Sequence, residues 1–229
     1  MTETAPQAPG PQAAGTVTFD LGQTIETARA VLTRPREFWP TVAQEGPGLQ
    51  KPLVFAVAMG VTAGVVSAVV GILHLDGIFG YSAGFRSVFN VVVYPIAALI
   101  GSFIGAAILF AIGTLLGAKP TFDRAVRIAA YGLAIYPIYP VAGIVPLLSL
   151  APQLYGLYLV GLGMIALFST DARKTWTAMA VLAALALVTT TSAYFVGRTA
   201  RSALERYGTD VSKAAAEIQR AADQASKRP

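Results

Sequence analysis

The feature that most constrains this sequence is a long stretch without a charged residue or a histidine. From Ile128 to Thr170 the chain contains no Asp, Glu, Lys, Arg or His. A single helix needs about 20 apolar residues to cross a hydrocarbon core of roughly 30 Å. The stretch is about twice that length, so it must turn at or within the membrane and cross twice. The chain is therefore expected to be an integral membrane protein.

Composition supports this conclusion and excludes other classes. The chain is 55% hydrophobic and 13% charged, whereas soluble domains are about 25% charged. Its net charge is +5, but its Lys and Arg fall mostly beside apolar segments, where they orient spans, so nucleic acid is not an expected partner. With no Cys and the single His74, disulfides and thiolate or histidine-cluster metal sites are excluded. No cofactor, metal or catalytic residue is predicted.

The hydropathy pattern predicts an all-α polytopic bundle of about five transmembrane helices. Spans are expected near 52–73, 88–116 and 176–196, with two more sharing the uncharged stretch and turning between Pro140 and Pro152. The predicted organisation has four parts: a disordered tail (1–17), an amphipathic interfacial segment (18–51), the five-span domain (52–197) and a C-terminal amphipathic or coiled-coil-like helix (198–229).

Small residues predict where the first two spans pack. Gly60 and Gly64 form a GxxxG pair in span one, and Gly101 and Gly105 form another in span two. Such pairs let two helix backbones approach closely. The two glycine faces are expected to form the seam between these spans, in preference to a dimer contact.

Prolines mark the predicted hinges and turns. Pro95 is expected to kink span two, and Pro137, Pro140 and Pro146 crowd the turn between spans three and four. Prolines free backbone carbonyls, which membrane depth tolerates only where protein or water satisfies them.

Three residues are predicted to lie in the headgroup layer. Trp39 follows a short amphipathic pattern and stands close to Arg34 and Arg36, as in helices that lie along the membrane surface. Arg124 and Arg127 are expected at the membrane boundary of span three.

The C-terminal tail carries a weak heptad pattern. Its predicted seam includes Leu204, Tyr207, Val211, Ala214 and Ile218, which alternate three and four residues apart. This helix could self-associate, pack on its own protein or lie on the membrane.

Basic residues predict the orientation. Nine Lys and Arg flank the spans on one side and one, Arg86, on the other, which places the N-terminus in the cytoplasm. Five spans then put the tail, with seven basic residues, outside. Either the tail is an exception to the rule or the span count is even.

Several motifs resemble the bacterial branch of the Yip (Ypt/Rab-interacting protein) family. They are Pro-Arg-x-Phe-Trp ending at Trp39, Lys-Pro-Leu starting at Lys51, Thr-Phe-x-x-Ala-x-Arg-x-Ala-Ala-Tyr from Thr121 to Tyr131, and the Pro-rich turn. The similarity covers residues 33–196. It implies five spans, a cytoplasmic N-terminus in the bacterial inner membrane and a role in membrane organisation through protein partners. The Asp-Leu-Tyr-Gly-Pro-type signatures of eukaryotic members are absent, so Rab binding is not implied.

These features suit three kinds of function to different degrees. The leading hypothesis is a non-enzymatic scaffold that contacts the bilayer and binds proteins or itself through its glycine faces or C-terminal helix. The alternative is a small channel or permease whose path is lined by the Pro/Tyr-rich hairpin of spans three and four, with Asn90, Tyr94 and Tyr136 around a water-filled cavity. A lipid-modifying enzyme, using Asp123 and Asp171, ranks third.

The absence of cysteine allows a direct test of the span count. Single Cys substitutions at Ser226 and Ser169 should differ when intact cells are treated with a membrane-impermeant maleimide, because five spans place them on opposite sides. Labelling at Ser226 with protection at Ser169 is the expected result. Protection at both positions would instead require an even number of spans.

Overall fold

A computed structural model of the protein describes residues 20–73, 84–145, 148–193, 195, 196, 199 and 213. The described chain is helical, with no strand in these ranges. Its elements are α1 (Leu21–Thr33), α2 (Pro35–Gln44), α3 (Gln50–Ile72), α4 (Gly84–Leu115), α5 (Phe122–Gly132), a 3₁₀ helix (Leu133–Ile138), α6 (Tyr139–Ala142), α7 (Leu150–Phe168) and α8 (Ala172–Ala193).

Five helices of the described chain are long and apolar enough to cross a membrane. They confirm the predicted all-helical, five-span fold. The third is a composite of α5, the 3₁₀ helix and α6, and it runs over Phe122–Ala142. The turn into the fourth lies between Ala142 and Leu150, inside the predicted interval.

The prolines fall at irregular points of these helices. Pro95 lies inside α4, Pro137 inside the 3₁₀ helix and Pro140 at the start of α6. Proline has no backbone N–H and cannot make the i to i−4 bond, so the tighter 3₁₀ turn at Pro137 is the expected response. Pro146 lies outside the described residues.

The most extensive helix contact joins α3 to α4. A Cβ on Gly60 would lie 2.5 Å from Pro95 Cα, and a Cβ on Gly64 would lie 2.7 Å from Val91 Cα. The two glycines therefore let α3 rest directly on the α4 backbone.

The partner face on α4 differs from the predicted one. Nothing lies within 4 Å of a Cβ built on Gly101, and Gly105 faces Ala129 of α5. The pairing of two glycine faces is therefore wrong. The α3 glycines fit against the backbone around Pro95 instead, because antiparallel packing brings that half of α4 opposite them.

One end of the bundle gathers the basic residues that flank the spans. The start of α3, the end of α4, the start of α5 and the junction of α7 with α8 meet there, as Gly113 lies against Phe168 and Pro120. The basic residues at this end are Lys51, Lys119, Arg124, Arg173 and Lys174. We call it the basic end.

The N-terminal helices α1 and α2 form a hairpin that packs against the spans. The Tyr155 hydroxyl of α7 donates to the Leu32 carbonyl at 2.6 Å, while the cavity at the other end of the hairpin is lined by Asp20 and Glu45 together with Lys51. The open end of the hairpin thus lies at the basic end and its closed end lies far up α7. This corrects the prediction that the segment lies flat in the headgroup layer.

The outer faces of the spans are apolar. Exposed Val, Ile, Leu and Phe side chains cover α3, α4 and α8, and only a small part of α8 is buried in the bundle. These faces match a hydrocarbon solvent. The exposed apolar residues of α4 are Phe89, Val92, Val93, Ile96, Ile100, Phe103, Ile104, Ile108, Phe110 and Leu115.

Substitution of Gly60 by Ala should destabilise the protein. The added methyl meets the backbone atoms Pro95 Cα at 2.5 Å and Tyr94 O at 2.9 Å, which cannot rotate away, so we expect a loss of about 1–3 kcal/mol. Thermal unfolding in detergent measures it. Gly101→Ala, which adds its methyl in open space, is the matched control, and equal melting temperatures for the two variants would refute the α3–α4 contact.

Candidate functional site

A buried arginine connects the N-terminal hairpin to the spans. Arg127 lies in the second turn of α5 and is 4% exposed. Its Nη1 donates to the Glu45 carbonyl at 3.3 Å, and its Nη2 donates to the carbonyls of Gly46 and Gly48. One guanidinium thus binds three carbonyls of the segment that joins α2 to α3.

Asp123 completes this arrangement from the preceding turn of α5. Its Oδ2 lies 3.0 Å from Arg127 Nε, and its Oδ1 accepts a hydrogen bond from the Gly48 N–H at 3.3 Å. The carboxylate therefore balances the buried charge and also holds the same segment. We call the set Arg127, Asp123, Glu45, Gly46 and Gly48 the arginine clamp.

Local sequence explains why the clamp can form. Thr121 caps α5, since its hydroxyl accepts from Arg124 N at 3.4 Å, and this starts the helix one residue later with Asp123 and Arg127 four residues apart on one face. Gly48 has a φ of +156°, a conformation that side chains disfavour. The glycine lets the segment turn its carbonyls toward the guanidinium.

An aromatic layer lies above the clamp. Phe38 packs edge to face on Trp39 and on Tyr131, with centroids 5.4 and 5.3 Å away, and Phe55 lies 5.2 Å from Tyr131. These rings join α2, α3 and α5. Such aromatic pairs contribute about 0.5–1.5 kcal/mol each beyond the area they bury.

Trp39 is a core residue of this layer. It is 1% exposed and sits beside Gly163 of α7, where a Cβ would lie 3.3 Å from the ring. Its prediction as a headgroup anchor is wrong, because the glycine leaves a slot inside the protein that the indole fills. Within the described residues the indole N–H has no hydrogen-bond partner.

A polar cavity of about 120 Å³ opens between the hairpin and the spans. It lies next to the arginine clamp, near the basic end. Its walls come from α1, α2, α3 and α5, and Phe38, Phe55 and Tyr131 form its apolar side. Its polar lining includes Asp20, Gln23, Thr24, Thr41, Glu45 and Lys51.

Arg124 takes a second structural role at the basic end. Its Nη1 donates to the Leu167 carbonyl at 2.9 Å, in the last turn of α7, where carbonyls lack partners within the helix. Ser169, which follows the last residue of α7, adopts a left-handed backbone conformation with a φ of 55° and ends the helix. Arg124 remains exposed, as a residue at the boundary would be, whereas Arg127 is buried within the clamp.

The residues proposed for a channel make contacts within the bundle. Asn90 donates to Ser67 at 2.9 Å, and the rings of Tyr94 and Tyr136 lie 5.3 Å apart. The cavity beneath the hairpin is lined by other residues. The structure therefore does not bring these three together around that cavity.

The carboxylates considered for catalysis are also engaged. Asp123 belongs to the clamp, and Asp171 accepts from the Lys174 N–H at 2.9 Å to cap α8. No group of three or more metal-binding side chains occurs among the described residues. The predicted tail seam of Leu204, Tyr207, Val211 and Ile218 lies outside them.

The sequence contained partial signals for the clamp. An Asp and an Arg four residues apart open span three, and a glycine-rich segment separates Trp39 from Lys51. Only contacts between residues about 80 positions apart, such as Arg127 with Gly46, relate the two. Periodicity reports the faces of one helix and cannot supply such a pair.

Comparison with known proteins identifies one family. The family model described as Yip1 domain matches residues 29–193, which is more than two thirds of the chain. No curated protein and no solved structure matches the chain.

Replacement of Arg127 by Gln should loosen the hairpin. The variant leaves Asp123 without its buried partner and frees the carbonyls of Glu45, Gly46 and Gly48, so we expect a loss of about 3 kcal/mol. Unfolding in detergent and cleavage after Glu45 by a glutamate-specific protease are the measurements. Arg173→Gln removes an exposed positive charge and should change neither. Unaltered cleavage in Arg127→Gln would contradict the clamp.

Proposed function

The chain belongs to the Yip1 family, and we propose that it is a scaffold that holds protein partners at the polar cavity beneath its N-terminal hairpin. Family membership and five apolar helices are consistent with a non-enzymatic membrane protein. The finer role, which is membrane organisation through partner binding, rests on the cavity and its surroundings.

The single observation that carries the proposal is the position of that cavity. It opens near the basic end of the bundle and combines carboxylates, hydroxyls and Lys51 with a wall of aromatic rings. This mixture of a few polar groups with aromatic surface is typical of sites that recognise a peptide or small ligand.

The arginine clamp gives this site a fixed shape. Its bonds hold residues 45–48, next to the cavity residues Glu45 and Lys51. A preorganised wall costs less entropy when a partner binds. The cavity is therefore better suited to recognition than a mobile terminal segment would be.

Orientation and localisation are part of the proposal. Lys and Arg accumulate at the basic end, and the positive-inside rule assigns that end to the cytoplasm. The cavity then faces the cytoplasm of a bacterial cell whose inner membrane holds the protein. The predicted C-terminal helix and the remaining glycine of the α4 face, Gly101, would offer further contacts for self-association.

Photo-crosslinking in cells tests the partner site. A benzoylphenylalanine at Gln23, which lines the cavity, should give discrete protein adducts because a partner sits against it. The same probe at Ile104, on the apolar outer face of α4, should give none. Adducts should weaken in the Arg127→Gln background.

Two results would contradict the scaffold. One is the absence of protein adducts at Gln23. The other is solute flux through purified protein in vesicles that a Tyr136→Ala substitution abolishes, since this would support the channel alternative instead.

A further inference from the structure

The closed end of the hairpin lies deep in the membrane. Leu32, at the end of α1, accepts a hydrogen bond from Tyr155, which is 13 residues from the end of α7 at Phe168. At 1.5 Å per residue this distance is about 20 Å. The closed end is therefore roughly two thirds of the way across a 30 Å hydrocarbon core.

Contacts on both sides of the closed end support this depth. Val31 is fully buried, and Trp39 lies beside Gly163, about two turns nearer the basic end than Tyr155. The hairpin therefore runs alongside α7 over much of its length, which agrees with the contact between α2 and α7.

The outward side of this deep hairpin is charged. Five ionisable side chains on α1, α2 and the residue between them are exposed, and none of them forms an ion pair with another described residue. The exposed apolar residues of α1, Leu21 and Ile25, lie in its first half, nearer the basic end. The charged residues are Glu26, Arg29, Arg34, Arg36 and Glu37, and we call them the hairpin charges.

The other side of the bundle at the same depth is apolar. Tyr94 of α4 packs on Tyr136, and Gly156 of α7 lies against Ile135, so Tyr94 and Tyr155 occupy one level. Close to it on α4, Ile96 is 54% exposed. A flat bilayer of uniform thickness would place hydrocarbon against both the apolar face of α4 and the charged face of the hairpin. Exposed charge at this depth is costly in hydrocarbon, so the bilayer cannot be the same on the two sides.

We propose that the hairpin charges carry phospholipid headgroups into the membrane and let lipids cross between leaflets. Water and headgroups solvate the charged face, and the bilayer thins beside it. A headgroup at Arg34 is then within about 10 Å of the opposite end of α7, since Leu150 is five residues from Tyr155. The acyl chains remain in the surrounding hydrocarbon.

The signs of the hairpin charges fit this substrate. Arg29, Arg34 and Arg36 can bind phosphate through paired N–H groups. Glu26 and Glu37 can accept from the ammonium group of a phosphatidylethanolamine. Charges of both signs favour passage of a lipid over tight binding, because each side chain binds only the phosphate or only the ammonium group of the headgroup.

This activity is separate from partner binding in the cavity. The hairpin charges face outward, whereas the cavity lies between the hairpin and α3 and α5. The two proposals can therefore fail independently.

Lipid movement in vesicles tests the proposal. Full-length protein is reconstituted into phosphatidylcholine and phosphatidylglycerol vesicles with a trace of phosphatidylethanolamine that carries NBD on an acyl chain, and dithionite is added outside. Protein-free vesicles lose only outer-leaflet fluorescence. We expect near-complete loss with the wild-type protein and a rate lower by about tenfold when Arg29, Arg34 and Arg36 are all changed to Gln.

Arg173→Gln combined with Lys174→Gln is the matched control, because it removes exposed basic charge from the basic end. It should move lipid at the wild-type rate. No loss beyond the outer leaflet with wild-type protein, or an unchanged rate in the triple variant, would overturn the proposal. Protein adducts at Gln23 would be unaffected by either result.

A second measurement does not depend on a variant of the charges. Spin labels at Thr33→Cys and Ile96→Cys lie at similar depth on opposite faces. The label at position 33 should be accessible to a water-soluble nickel complex, and the label at position 96 only to oxygen. Equal exclusion of nickel at both would mean that hydrocarbon, the tail or a second copy covers the hairpin, and it would overturn the proposal.

Discussion

The guanidinium of Arg127 is the group on which the N-terminal half of the structure depends. It is buried in the second turn of α5 and binds the carbonyls of Glu45, Gly46 and Gly48. Burying a charged side chain without a partner is costly. Asp123 and the three carbonyls offset that cost, and the guanidinium in turn donates hydrogen bonds to the segment before α3.

The seating of the hairpin follows from this clamp. The clamp fixes residues 45–48, and α2, which precedes them, packs along α7, where Gly163 makes room for Trp39. The bond from Tyr155 to Leu32 then holds the far end. The segment of α1 and α2, whose composition predicts a position at the membrane surface, therefore packs along the spans. The position of the hairpin beside α7 produces both its charged outer side and the cavity on its inner side. The charged side suits a lipid headgroup, and the cavity suits a partner protein.

The remaining spans obey a simpler rule. Small residues lie where backbones meet, as Gly60 does against Pro95, and large aliphatic residues lie outside. Lipid is as apolar as leucine, so burial gives little driving force and close fit must supply the attraction. Within the part of the chain that the structure describes, only the hairpin side departs from this pattern, which is why both proposals concern it.

The sequence by itself determined that the chain lies in a lipid bilayer, that it has five spans, roughly where it turns after Pro140, and which family it resembles. Hydropathy, length and motifs are properties of continuous segments, so they can be identified without the tertiary structure. It also identified Gly60, Gly64, Asp123 and Arg127 as notable, but it did not pair Asp123 with Arg127. Tertiary structure alone decided that Gly101 faces open space, that Trp39 is buried and that α1 and α2 run along α7. These outcomes depend on contacts between residues far apart in the chain, such as the hydrogen bond from Tyr155 to Leu32. A local sequence pattern does not specify which distant residue will pack against a side chain or form a hydrogen bond with it.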